Sequence, residues 1–215
     1  VASNAIADAK LSADESAVFS DAGVYIGIGL DPSTTNFHLR WGLKVKARQW
    51  ARQLGLQLDK TELESWVREL RDAFGPAMNA NRTMGALGGI VASRIARAFN
   101  VGGPSFTLSS EESSGLRSLE AGVRALQRNE ISTAIVGAVD IASDIRSLGK
   151  AQGAGSNLND TLKSDGAAAV ILKRHEDALA DGDQIYAIIK GMGAANAGSA
   201  TVKAGMVSAY KEAVK

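Results

Sequence analysis

The sequence predicts an α/β fold. Stretches with apolar residues at three- and four-residue steps alternate with runs of eight to ten residues rich in Val, Ile and Ala, the length and branching of buried strands. At 215 residues, with 45% hydrophobic and 22% charged side chains, the chain can bury one substantial core.

Taken from the N terminus, Ala5 to Phe19 has helical spacing, and GVYIGIGL (Gly23 to Leu30) is a buried strand followed by a Pro-containing loop, DPSTTN. The clearest helix opens with a capping box from Thr61 to Glu64, sets Leu63, Trp66, Val67, Leu70 and Phe74 on one face, and stops at Gly75-Pro76. A second runs through TMGALGGIVASRIARAF, with Leu87, Val91, Ile95 and Phe99 on one side; its glycines and alanines permit close packing, and it should be largely buried. Next comes SFTLSSEESSGL (Ser105 to Leu116), a β-type run, two adjacent carboxylates, and the start of a helix carrying Leu116, Leu119, Val123 and Leu126. STAIVGAVDI (Ser132 to Ile141), GAAAVILK (Gly166 to Lys173) and QIYAIIKG (Gln184 to Gly191) read as sheet-core strands. The loop GKAQGAGSNLNDTLKSDG between the first two is long and polar enough to be mobile or to line a site. No repeat or linker divides the chain.

Composition removes several function classes. Lys plus Arg (24) nearly balances Asp plus Glu (23), so no strong net field recruits nucleic acid or an anionic membrane, and a protein or small-molecule partner is expected. No apolar run approaches the length of a membrane span, and VASNAIADAK lacks the regions of a signal peptide, which makes a cytoplasmic chain the expectation. The absence of cysteine excludes disulfides, thiolate metal sites and cysteine nucleophiles together. Only His38 and His175 are present, and no HExxH spacing occurs, so no metal site is expected. GIGLDP and GMGAAN have Pro32 and Asn196 where the dinucleotide fingerprint needs its third glycine, and no GxxxxGK[ST] exists. SSEESSG does not supply the GxSxG of a serine-hydrolase elbow.

Three ordered stretches carry a family resemblance: NRTMGALGGIVASRIARAFNVGGPSFTLSS, EESSGLRSLEAGVRALQRNEISTAIVGAVDI and SDGAAAVILKRHEDALADGDQIYAIIKG, from Asn81 to Gly191. They resemble the middle of a β-ketoacyl synthase (ketosynthase) domain of a polyketide or polyunsaturated fatty acid synthase, with GVYIGIG fitting the preceding strand. The resemblance implies a thiolase-like fold, in which two similar halves pack into α/β/α/β/α layers and pair as dimers. Residues 1–215 would then be a partial domain, mostly the N-terminal half, and such a piece should expose apolar sheet surface and fold only with its complement or partner. The resemblance also implies an acyl carrier protein that delivers acyl groups on phosphopantetheine, a homodimeric or heterodimeric ketosynthase partner, and no cofactor in the chain itself.

In active members the corner after GPSFT-like residues carries the cysteine that takes the acyl chain; the resemblance puts Glu112 at that position. A carboxylate at a helix start is favoured by about 0.3–1 kcal/mol and can accept hydrogen bonds from the free amides there. It is a poor acyl carrier, because acylation would give an anhydride, and a resting carboxylate lacks the nucleophilicity of a thiolate. Two family roles tolerate this. One is the chain length factor, a non-condensing partner that often has Ser-Glu-Gln at this corner, which Ser110-Glu111-Glu112 resembles. The other is the loading-type malonyl-carrier decarboxylase, which has Gln in place of the cysteine and uses two histidines; the family's His-Gly-Thr-Gly-Thr and Asn-x-Gly-His motifs are not in this sequence, and His38 and His175 fit neither, so a decarboxylase, or as a separate alternative a condensing enzyme, would be completed by residues outside this chain. The plainer reading makes Glu111 and Glu112 a solvated helix start, Ser113 and Ser114 caps, and both histidines surface or packing residues.

Overall fold

The computed structural model describes residues 1–11, 19–29, 32–73, 79–85, 87–141, 165–195 and 202–214. Helix α1 (Ala2–Asp8) ends sooner than the spacing from Ala5 to Phe19 predicts. Lys10 turns left-handed at φ 56°, and the Leu11 and Lys10 amides donate to Ile6 O and Ala7 O, the paired bonds that close a helix end. Residues 12–18 of that stretch lie outside the described set. Strand β1 (Ala22–Ile28) forms where expected and is buried for six of its seven residues.

The predicted DPSTTN loop is instead the beginning of α2 (Pro32–Gln53). Proline suits a first helical turn because its missing N–H has no intrahelical partner there. Helix α3 (Lys60–Ala73) packs on α2 and is capped two residues earlier than the sequence suggests. Asp59 Oδ1 accepts the Thr61 and Glu62 amides at 2.7 and 2.9 Å, while Glu62 Oε2 accepts the Asp59 amide at 2.8 Å, so the reciprocal box is Asp59–Glu62 rather than Thr61–Glu64. Leu43, Ala47, Ala51 and Val67 are buried in this hairpin; Phe74 and the Gly75-Pro76 stop lie outside the described residues.

The single buried helix predicted across Thr83 to Phe99 is two short ones, α4 (Ala80–Gly85) and α5 (Ile90–Ala98), divided by a turn at Gly88-Gly89. Glycine holds a helix poorly, and two in succession let the chain turn. The inward face is also rotated: Ala92 is buried with Ile95, Ala96 and Phe99 against the core, whereas Leu87 and Val91 are exposed.

Strand β2 (Ser105–Leu108), helix α6 (Ser114–Gln127), strand β3 (Thr133–Asp140), strand β4 (Gly166–Lys173), and helices α7 (His175–Ala180) and α8 (Val202–Ala213) complete the described elements. The sheet has the order β2-β1-β3-β4. β1 lies parallel to β2 and β3, with Tyr25 opposite Phe106 on one side and Val136 on the other, and β4 runs antiparallel to β3. The alternation of side chains along β1 sorts the core into two layers. Val24 and Ile26 join Ile135, Ile6 of α1, Phe19 and Ala92 of α5 on one face; Tyr25 joins Ala134, Val136, and Ala125 and Leu126 of α6 on the other. The described residues thus form a helix–sheet–helix sandwich.

Two strand expectations are corrected. Gln184 to Gly191 forms neither helix nor strand, and all of it is exposed. β4 is an edge strand of the described sheet, with Ala167, Ala168 and Val170 exposed, not a sheet-core strand. An apolar, branched sequence states readiness to pair, while pairing itself requires a neighbour at hydrogen-bonding distance. Most of the polar loop from Gly149 to Gly166 lies outside the described residues.

Ile135 is fully buried in the sheet centre. Ile135→Ala should cost about 2–5 kcal/mol, read as a lower urea midpoint with an unchanged slope. At the end of β4, Lys173 Nζ donates to Asp181 Oδ2 and Asp183 Oδ2, each at 2.6 Å. Burial works against its charge, but the hydrogen bonds and the two carboxylates outweigh it and raise the pKa above the ordinary 10.5. The folded chain therefore holds this proton more tightly than the unfolded one; the contribution is complete below pH 10.5 and fades as pH rises past the folded value. Lys173→Met should lose less urea stability than the parent between about pH 9 and about pH 12.

Candidate functional site

The corner between β2 and α6 is built from Ser109 to Ser113, around the paired carboxylates Glu111 and Glu112. Ser113 N–H donates to Ser110 O at 3.0 Å, closing a turn in which Glu111 is left-handed at φ 49°. That region is uncommon for a residue with a side chain and needs support from its surroundings. Ser114 supplies it. Its hydroxyl, 4% exposed with its residue, accepts the Ser110 amide at 2.8 Å and donates to Glu111 O at 2.6 Å, clamping the turn from inside.

The corner is pressed onto the sheet. A Cβ on Gly27 of β1 would lie 2.5 Å from the Ser114 carbonyl carbon, so only glycine lets the strand pass beneath the helix start. One layer down, Ser118, fully buried, directs its hydroxyl at Gly115 O (2.7 Å) and Gly137 O (3.1 Å), linking α6 to β3. Gly122 lies against Val136 and Ala134 where a side chain would collide. Because β1, β2 and β3 are mutually aligned, their C-terminal ends emerge together beneath this corner.

At its tip Glu112 is exposed, and among the described residues its carboxylate makes no hydrogen bond or ion pair. This corrects the expectation that the helix-start amides hold it: the Ser113 and Ser114 amides go to Ser110 O and Glu111 O instead. Ser113 occupies the N-cap without a side-chain cap bond, and Ser114 acts as a clamp rather than a cap. His175 begins α7 beyond Lys173, which pairs with Thr133 at the opposite end of β3 from the corner; His38 lies on α2 with its side chain outside the described set. No histidine is thus seen at Glu112 among the described residues.

Exposed apolar side chains surround the strand ends. Leu116 stands 67% exposed in the first turn of α6, Phe106 is exposed on β2 with its ring edge-on to Tyr25 at 5.1 Å, and Leu87 is exposed beside Gly88, which approaches Ile28. A cavity of about 760 Å³ lies at the other end of the sheet, lined by Asp8, Lys10, Thr133, Lys173 and Asp181 among others. Its charges are largely engaged with one another, as in the Lys173 pairs. No cluster of metal-ligating side chains occurs among the described residues.

Comparison with known proteins assigns the class. Residues 1–178 match the family Beta-ketoacyl synthase, N-terminal domain, and the chain belongs to it. A low-reducing polyketide synthase of Aspergillus calidoustus is 34% identical over 62% of this chain and 6% of its own length; a highly reducing polyketide synthase of Cordyceps militaris is 30% identical over 74% of this chain and again 6% of its own. The chain therefore spans a small part of these relatives. Among solved structures, the ketosynthase–chain length factor PfaC superposes with a TM-score of 0.73 at 27% identity, covering 98% of this chain and 23% of PfaC. A ketosynthase from the bacillaene synthase of Bacillus subtilis gives 0.59 at 24% identity over 90% of this chain and 28% of its own, a likeness of fold. The fold is that of the thiolase-like ketosynthases.

The Ser114 clamp and the Gly27 approach are not evident from the sequence, although a glycine inside the strand GVYIGIG is itself a signal of close backbone passage. Ser114→Ala should leave the Ser110 amide without its acceptor, cost about 1–3 kcal/mol, and raise hydrogen exchange at residues 110–114 more than in β3.

Proposed function

We propose that this chain is a non-condensing ketosynthase-like domain of the chain-length-factor type, which shapes the space in which an active partner elongates an acyl chain. The observation that carries the reading is the rigidly held corner that presents Glu112 where the family resemblance places the nucleophile, in a chain without cysteine. A carboxylate in that position keeps the architecture and forgoes the thioester. The likeness to a protein described as a ketosynthase–chain length factor supports this reading.

The partners in this proposal are an acyl carrier protein, with the acyl group on its phosphopantetheine, and a ketosynthase subunit in a homodimer or heterodimer. The surface supports association: among the described residues Ile185, Tyr186, Ile188 and Ile189 are exposed within one short stretch, and Leu87, Phe106 and Leu116 are exposed around the strand ends. The decarboxylase alternative would take its histidines from residues outside this chain, since His175 stands at the far end of the sheet.

Glu112→Cys in the full-length protein, incubated with acyl-loaded carrier protein and analysed by peptide mass spectrometry, should gain an acyl adduct at residue 112 while the parent gains none. An adduct on Glu112 of the parent would sink the non-condensing assignment, and failure of the cysteine variant to acylate would show that the corner does not face an acyl chain.

A further inference from the structure

The near balance of charge over the whole chain conceals a local segregation. Helix α2 contains five basic residues, Arg40, Lys44, Lys46, Arg48 and Arg52, and no Asp or Glu, which leaves 19 basic against 23 acidic residues in the rest of the chain. Helical spacing divides α2 into two faces. Leu43, Ala47 and Ala51 are buried, and Arg40 Nη1 donates to Arg71 O at 2.7 Å on the α3 side. Trp41, Lys44, Val45, Arg48 and Arg52 follow at steps of three, one, three and four residues on the other face, all exposed. Trp41 is 72% and Val45 60% exposed, a large aromatic and a branched aliphatic set among cations. Lys44 has a loose contact with Glu64 at 4.0 Å; no ion pair is recorded for Arg48 or Arg52 among the described residues.

We propose that this face of α2 docks an acidic amphipathic helix of a partner protein. The stripe runs about 16 Å, close to three turns, and matches a helix that carries carboxylates on either side of a short apolar ridge. Trp and Arg are the residues most enriched at the centres of protein interfaces, and the charges would guide encounter and fix the register. An anionic bilayer fits less well. Insertion requires a broad apolar face, and the apolar residues of α2 are mostly turned inward, leaving Trp41 and Val45 outside. Helix α2 packs on α3, and the proposal does not depend on the role given to Glu112.

The test uses the full-length protein and a labelled, hydrocarbon-stapled helical peptide with Glu residues flanking a Leu ridge, followed by fluorescence anisotropy. The acidic peptide should bind, weaken about tenfold when salt rises from about 50 to about 300 mM, and lose about tenfold or more in affinity when Arg48→Glu and Arg52→Glu are introduced together. Lys46→Glu, on another side of α2, should leave binding within about twofold. The double variant Arg48→Gln/Arg52→Gln, with helicity checked by circular dichroism, should show an intermediate loss and guards against misfolding of the reversal. Absence of binding, equal binding of a peptide with Gln in place of Glu, equal loss in Lys46→Glu, or tighter association with phosphatidylglycerol-containing vesicles than with the peptide would each overturn the proposal.

Discussion

The close seating of α6 on the sheet is the contact from which the rest of the structure follows. Three points hold it: Gly27 beneath the Ser114 backbone, Ser118 hydrogen-bonded into β3 at Gly137 O, and Gly122 against Val136. The two glycines let helix and sheet approach closely and the Ser118 hydroxyl ties them together, so the helix axis has little freedom to slide or roll. Ser114 then transmits that rigidity to the turn before it. A left-handed Glu111 would ordinarily be one conformer among several; here both of its flanking backbone groups are tied to a buried hydroxyl.

Such a corner holds the residue at its tip in a fixed direction, and in the proposed reading that residue stands where the family's nucleophile would be. The side chain it aims in this protein is a carboxylate without a partner among the described residues. The precision of the scaffold and the modest reactivity of what it presents point the same way. In the reading proposed above, architecture is kept while covalent capture is given up, the division of labour of a subunit that shapes a cavity for another to use.

The outer surface carries apolar side chains in several places. β4 stands at the edge of the sheet among the described residues, Gln184 to Gly191 carries Ile185, Tyr186, Ile188 and Ile189 into solvent, and Leu87, Phe106 and Leu116 are exposed around the strand ends. Apolar area of this extent in one chain is a call for partners. The cationic face of α2 adds a second kind of surface, selective by charge rather than by bulk hydrophobicity.

The sequence by itself determined the α/β class, the strands β1, β2, β3 and β4, and the helix after the paired carboxylates, because period and branching are local properties that survive without tertiary contacts. It also placed Glu112 at a strand-to-helix corner, which lies between β2 and α6. What it misplaced depended on neighbours distant in the chain or on competition between close alternatives: the cap at Asp59 instead of Thr61, the break at Gly88-Gly89, and Pro32 as a helix start instead of a loop marker. Only the tertiary structure decided that Gln184 to Gly191 stays unpaired, that Ser114 is a clamp, and that Glu112 is left to solvent. Those outcomes depend on which strand has a neighbour and which oxygen reaches an amide first, and distances of that kind are set only once the chain has closed on itself.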